Sequence, residues 1–139
     1  PGYIEESIMP RLYREAPLNS IWEGSGNVMC LDVLRALQRD KNALPSLFRE
    51  LASAKGSNKN FDESFSHLKE TLQDPIDLEI EARLLTEKMA CLIQASIFIK
   101  SGEEEKISAF CNSRLGPRWS GAFGTLPTDT SFEYIMGGI

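Results

Sequence analysis

The chain contains only three cysteines and one histidine among its 139 residues. Cys30, Cys91 and Cys111 are odd in number and lack the spacings of disulfide frameworks or zinc sites. Each lies among apolar neighbours without a flanking basic cluster, so we expect small core residues in a reducing compartment rather than reactive thiols. His67 lies beside an apolar helical stripe, and no acid or cysteine at helical spacing from it would also face inward, so we expect it on the surface. The sequence therefore predicts no metal site.

Long hydrophobic runs and an excess of basic residues are also missing. The longest apolar stretch, residues 89–99, is too short to span a bilayer and contains Gln94 and Ser96. No basic and then apolar leader opens the chain, so we expect a soluble, cytoplasmic protein with no membrane partner. The formal charge of −5 argues against strong non-specific binding to DNA, although local basic patches stay open. The chain starts without methionine, which suggests the C-terminal part of a longer protein.

Helical periodicity dominates what is present, and no segment alternates as a β-strand does. The apolar spacings predict helices over residues 3–15, 25–39, 43–54, 75–101 and 129–136, with further helical stripes over 61–72 and 103–111. Pro10 should interrupt the first helix and Pro17 should end it. The longest helix carries the inward stripe Leu78, Ala82, Leu85, Met89, Leu92, Ser96 and Ile99, which Ile93 and Ile97 widen. The sequence therefore predicts an all-α helical bundle.

Residues 19–27, between the first two helices, combine a carboxylate, an aromatic ring and two glycines. Glu23 is the only acidic residue between Glu15 and Asp32, and its apolar neighbour Trp22 should partly desolvate its carboxyl group. Desolvation raises a carboxyl pKa and makes the group a better proton acceptor near neutral pH, so Glu23 is our candidate base. The residue types alone also allow a core-anchoring Trp22, a solvated Glu23 and glycines that merely permit a turn.

The helix that follows this stretch should begin at Ser25, which is placed to be its N-cap, and should end near Arg39. Its inward stripe is predicted to be Val28, Leu31, Leu34 and Leu37. The N-terminus of such a helix presents free backbone N–H groups and a positive dipole end. A phosphate or another anion suits that end.

The run RLYREAPLNSIWEGSGN, residues 11–27, resembles the active-site segment of the acyl-CoA dehydrogenase flavoenzymes. In that family an Arg-Asp pair precedes an aromatic-Glu-Gly-Thr step that opens a helix. Arg14-Glu15 and the run 22–25, Trp-Glu-Gly-Ser, hold those places here. The continuation VMCLDVLR, residues 28–35, is similar to the AidB-like, alkylation-response branch of the family. The match is specific over residues 11–37.

The resemblance implies an FAD cofactor, an acyl-CoA substrate and roles for five residues. Glu23 would remove a proton from the α carbon of the acyl group while a hydride leaves the β carbon for FAD. Ser25, and Asn27 in the place of a family glutamine, would contact FAD, often across a subunit boundary. Gly24 would leave room for the cofactor, and Trp22 would line the substrate site. Most of the flavin site would lie upstream, so we expect a fragment that is inactive alone and a full-length homo-oligomer.

The resemblance also divides the chain into two parts. Residues 1–39 would be the end of the acyl-CoA dehydrogenase C-terminal helical domain, and residues 40–139 would be an appended helical tail. In the AidB-like branch the tail is associated with double-stranded DNA binding and with oligomer assembly, so both stay open as alternatives. A DNA-binding surface should be basic, whereas acids are interleaved among the lysines and arginines here, as at residues 103–105.

Overall fold

A computed structural model describes residues 2–22, 24–73, 78–117, 121, 124 and 126–137, and these fold as helices joined by short turns. The elements are α1 (Met9–Glu15), a 3₁₀ helix (Ala16–Ser20), α2 (Gly26–Arg39), α3 (Ala43–Ala52), α4 (Lys59–Gln73), α5 (Ala82–Ser101), α6 (Glu104–Arg114) and α7 (Phe132–Met136). No strand occurs in the described part of the chain. The prediction of an all-α bundle is confirmed.

Helix α5 is the centre of the bundle, because α2, α3, α4 and α6 all pack against it. Its inward face is buried along its whole length at Ala82, Leu85, Met89, Leu92, Ala95 and Ser96. The predicted stripe is therefore confirmed at five positions, Ala82, Leu85, Met89, Leu92 and Ser96, whereas Ala95 was not part of it. Ile99 is only half-buried, and Leu78 lies before the helix. Partners from the other helices complete the core, among them Leu34, Leu51, Phe61, Phe65, Leu68, Ile107 and Cys111.

The limits of α5 and its outer face differ from the prediction. The helix begins at Ala82 instead of residue 75, since residues 78–81 form turns and residues 74–77 lie outside the described part. A helix in a protein is stabilised mainly by burying one face, and burial begins at Ala82, whereas Ile80 is 81 % exposed. Ile93 and Ile97 do not widen the buried face. They are exposed because the packed helices lie over the opposite side of α5.

The N-terminal segment departs from its predicted course before and after α1. Residues 3–8 form turns and bends instead of a helix, and α1 begins only at Met9, with Pro10 in its first turn. The helix stops at Glu15, so its predicted end before Pro17 is confirmed. Pro17 belongs to a further helical segment. It lies in the first turn of the 3₁₀ helix, where its missing N–H has no intrahelical acceptor to lose. The chain therefore approaches α2 through a compact turn.

The remaining helices follow their predicted stripes closely. Phe61, Phe65 and Leu68 of α4 are buried, and the Phe65 ring lies 6.0 Å from that of Phe48 on α3. Gly102, with a φ of +74°, ends α5 in the left-handed conformation that glycine favours. Helix α7 is shorter than predicted. None of the described helices is long and apolar enough to cross a membrane.

Candidate functional site

The predicted cofactor-binding residues lie where the chain enters α2. Ser25 occupies the N-cap position with extended backbone angles, as predicted, but its hydroxyl makes no capping hydrogen bond. Gly24 has a φ of +116°, which side-chain-bearing residues rarely adopt, and a Cβ there would lie 3.2 Å from Cγ of Met29. Glu23, the candidate base, lies outside the described residues, so its role stays a prediction.

Trp22 is 64 % exposed and its neighbour Ile21 is 68 % exposed. The interpretation of Trp22 as a core anchor is therefore wrong for this chain. Both residues follow the 3₁₀ helix in a tight turn, because their N–H groups donate to the carbonyl oxygen of Leu18 at 3.0 Å. The turn presents the two apolar side chains outward, beside the entrance to α2, where a substrate or another protein surface can cover them.

Exposed apolar side chains continue through the whole N-terminal segment. They include Tyr3, Ile4, Ile8, Met9, Leu12, Tyr13, Leu18, Ile21, Trp22, Val28 and Met29. Val28 was predicted to face inward, but it lies in the first turn of α2 and is 48 % exposed, whereas Leu34 is buried. Large contiguous apolar surfaces usually mark contacts with another protein surface, a membrane or a ligand. We call these eleven exposed apolar residues the apolar N-terminal face.

A residue of the tail, which the sequence did not single out, reaches the predicted cofactor-binding turn. Nη1 of Arg83, in the first turn of α5, donates to Oδ1 of Asn27 at 3.2 Å. Nη2 of the same guanidinium lies 3.4 Å from the place that a Cβ on Gly26 would take. The two partners are 56 positions apart in the chain. No local spacing in the sequence predicts such a contact. It arises from the packing of α2 against α5.

The cysteines and His67 show no catalytic or metal-binding arrangement in the described residues. Burial raises the pKa of the Cys111 thiol to about 11 and, together with the charge of Glu87, raises that of Cys91. Thiols with raised pKa values are poor nucleophiles. His67 is exposed, and no group of three potential metal ligands occurs in this part of the chain.

A separate cleft of about 310 Å³ lies between α4 and α5. Its lining consists of Glu63, Ser64, His67, Leu68, Thr71, Glu81, Leu84, Leu85 and Lys88. Three leucines supply its apolar lining, and two glutamates, a histidine and a lysine also line it. None of the residues predicted to bind substrate or cofactor lines this cleft.

Many lysines and arginines of the described chain are paired with carboxylates. The ion pairs are Arg11–Glu15, Arg14–Glu5, Arg35–Asp32, Lys59–Glu63, Lys100–Glu50 and Lys106–Glu103. A lysine or arginine that is paired with a carboxylate attracts a DNA phosphate less strongly. The attraction between basic side chains and phosphates supplies most of the affinity of non-specific DNA binding. The formal net charge of −5 also disfavours binding to DNA. DNA binding by the tail stays a prediction.

Comparison with known proteins identifies the N-terminal part of the chain. Residues 1–38 match the family model "Acyl-CoA dehydrogenase, C-terminal domain". These residues belong to the acyl-CoA dehydrogenase family. The predicted relationship is thereby confirmed, and the matched segment contains every residue that we predicted to act in the site.

Two similar proteins extend the relationship. The chain is 39 % identical over 117 residues to "Putative acyl-CoA dehydrogenase AidB" of Escherichia coli (strain K12), an alignment that covers 84 % of this chain and 21 % of that protein. It is 35 % identical over 75 residues to "Acyl-CoA dehydrogenase family member 11" of Caenorhabditis elegans, covering 54 % of this chain and 12 % of that protein. The chain thus spans about a fifth of the AidB length. Most of the residues aligned with AidB lie beyond residue 39, so the similarity includes much of the helical tail.

Proposed function

We propose that this chain is the C-terminal part of an FAD-dependent acyl-CoA dehydrogenase in which Glu23 is the proton-abstracting base. The observation that carries the proposal is the family match over residues 1–38, because that segment contains Glu23 in the sequence and the start of α2. The similarity to AidB over most of the chain supports the same assignment. Acyl-CoA is then the substrate, and the reaction introduces a double bond between the α and β carbons.

The residues at the start of α2 fit a flavin nucleotide. Its phosphates and ring carbonyls are hydrogen-bond acceptors, and this turn is rich in donors. The first N–H groups of α2 have no acceptor within the helix, the Ser25 hydroxyl is not used as a cap, and the exposed Asn27 carries an amide. Bound there, FAD would supply the hydride acceptor. Gly24 keeps the approach to these donors free of a side chain.

In the proposed reaction, the chain's own contribution is the removal of a proton. The Glu23 carboxylate accepts the proton from the α carbon, while the electron pair of that C–H bond becomes the new double bond and the β hydrogen leaves as hydride. A carboxylate does this best when water is excluded around it. Trp22 and Ile21 are exposed in this chain, so the surface that covers them in the full-length protein would provide that exclusion.

The apolar N-terminal face indicates where the rest of the enzyme packs. We infer that upstream parts of the polypeptide, and in a homo-oligomer a second copy, cover residues 3–29. Covering this face would offset the cost of exposing its large apolar side chains to water. The same argument explains why the 139 residues alone should lack activity, since most of the flavin site would lie outside them.

The test of the base is Glu23→Gln in the full-length protein, with Glu50→Gln as the matched control. Glu50 is exposed on α3, outside the family segment, and is paired with Lys100. Both variants should retain FAD. On anaerobic mixing with acyl-CoA, bleaching of the flavin absorbance should slow by about two to four orders of magnitude in Glu23→Gln, because general-base catalysis is lost. Bleaching at the wild-type rate in a single turnover would refute the role of Glu23.

A further inference from the structure

The contact between Arg83 and Asn27 connects the tail to the predicted cofactor-binding turn. Nη1 of Arg83 donates to Oδ1 of Asn27 at 3.2 Å, and the same guanidinium lies beside Gly26. Both residues sit in the first turns of their helices. Because α2 and α5 form the most extensive contact between the described helices, the helix packing itself brings these two side chains together. The packing of the two helices therefore places the two groups within hydrogen-bond distance.

The chemistry of the pair determines how the Asn27 amide is oriented. A guanidinium can only donate hydrogen bonds, so it binds the carbonyl oxygen of the amide and not the NH₂ group. With Oδ1 held by Arg83, the NH₂ group of Asn27 points away from the guanidinium and remains able to donate. The side chain is exposed, so this donor is accessible to a ligand. Without Arg83 the amide could rotate and present its oxygen instead.

We propose that Arg83 is a positioning residue that orients Asn27 so that its NH₂ group is the donor available to the flavin. The inference rests on the proposed function, since it takes from it that FAD binds at the start of α2. It adds that the helical tail takes part in the site through one side chain. Arg83 itself need not touch the cofactor.

The experiment compares FAD binding by full-length variants, measured as the dissociation constant from flavin fluorescence after removal and re-addition of FAD. Arg83→Ala should weaken FAD binding about fivefold to tenfold, the effect of losing one ordinary hydrogen bond, that from the Asn27 NH₂ group to the flavin. Arg83→Lys, which keeps a cationic donor, should recover part of the loss. The control is Arg49→Ala, which removes the same charge from an exposed position on α3 and should leave FAD binding unchanged.

Substitutions of Asn27 separate positioning from simple stabilisation. Asn27→Asp keeps an acceptor for Arg83 but removes the NH₂ donor, so it should weaken FAD binding although the link between the helices is kept. In the double variant Arg83→Ala with Asn27→Ala, binding should be no weaker than in Asn27→Ala alone, because Arg83 acts only through Asn27. If the double variant binds FAD more weakly than Asn27→Ala by the factor that Arg83→Ala shows alone, the inference is overturned. It is also overturned if Arg83→Ala binds FAD as tightly as the wild-type protein does.

A flavin-independent measurement distinguishes failure of this inference from failure of the proposed function. Hydrogen exchange of residues 24–30 in the flavin-free full-length protein should be faster in Arg83→Ala than in Arg49→Ala, since the first turn of α2 loses a restraint. Equal exchange would overturn the positioning role whatever the flavin result. A wild-type protein that binds no FAD would refute the proposed function, and the role of Arg83 toward FAD would fall with it.

Discussion

Leu34→Ala measures how firmly α2 is docked on the tail. Leu34 is the buried residue of α2, only 4 % exposed, and belongs to the same core as Leu85 and Leu92 of α5. Loss of Cγ, Cδ1 and Cδ2, at roughly 0.8 kcal/mol each, costs about 2.4 kcal/mol in transfer free energy. The cavity raises the cost to about 3 kcal/mol, because the neighbouring side chains relax only in part. A domain with an unfolding free energy of about 5–15 kcal/mol would stay folded but be clearly weakened.

The assay is urea unfolding of the 139-residue chain, followed by far-ultraviolet circular dichroism. At a slope of about 2 kcal/mol/M, the loss corresponds to a midpoint about 1.5 M lower. Val28→Ala is the matched control, since Val28 lies on the same helix but is 48 % exposed, and its effect should stay within about 0.5 kcal/mol. If Leu34→Ala costs no more than Val28→Ala, α2 is not docked on α5 as described, and the Arg83–Asn27 contact loses its structural basis.

Three further predictions concern the other end of the bundle. Cys111, whose pKa burial raises to about 11, should resist iodoacetamide at pH 8 until urea unfolds the chain, and fast native labelling would contradict its burial. Gly102→Ala should cost about 1 kcal/mol, because the space around it is open and only the backbone strain at φ +74° remains; an unchanged urea midpoint would refute this. A hydrogen bond from Lys106 holds the pKa of Glu103 below its ordinary value of 4.5. The pair therefore stabilises the fold above pH 4.5, and this stabilisation is lost as the pH falls through the lowered pKa. A carbon-13 NMR titration should show a midpoint below 4.5 that rises in Lys106→Gln.

The helices were predictable from the sequence because their buried faces repeat at helical spacing. Phe61, Phe65 and Leu68 specify α4 in this way, and Leu85 with Met89 specifies the inward face of α5. Two errors came from the same pattern. Residues 78–81 and the isoleucines of the outer α5 face continue the apolar spacing of the helix, but burial depends on which neighbours cover a face. The periodicity of one segment does not show which neighbouring helices will pack against its faces.

The candidate site was predictable only where it is local in sequence. Ser25 at the N-cap and the bounds of α2 followed from the serine, the glycines and the apolar spacing. The exposure of Trp22 was not predictable from residue type, because a large aromatic side chain serves equally in a core and on a covered interface. The contact of Arg83 with Asn27 was missed because it joins residues that are brought together only by helix packing.

The packing of α2 connects the tail to the segment that matches the family model. The family match ends at residue 38, one residue before the end of α2, yet the helix that α2 packs against most extensively lies in the tail. A buried leucine and an exposed hydrogen bond tie the two parts together near the residues proposed to bind FAD. A change in the tail that shifts α5 would therefore move the first turn of α2, and errors of about 1 Å in such a position would be costly to the proposed reaction. If the proposed function holds, the tail acts on the proposed dehydrogenase site directly, through packing and through Arg83, whether or not it also binds a partner of its own.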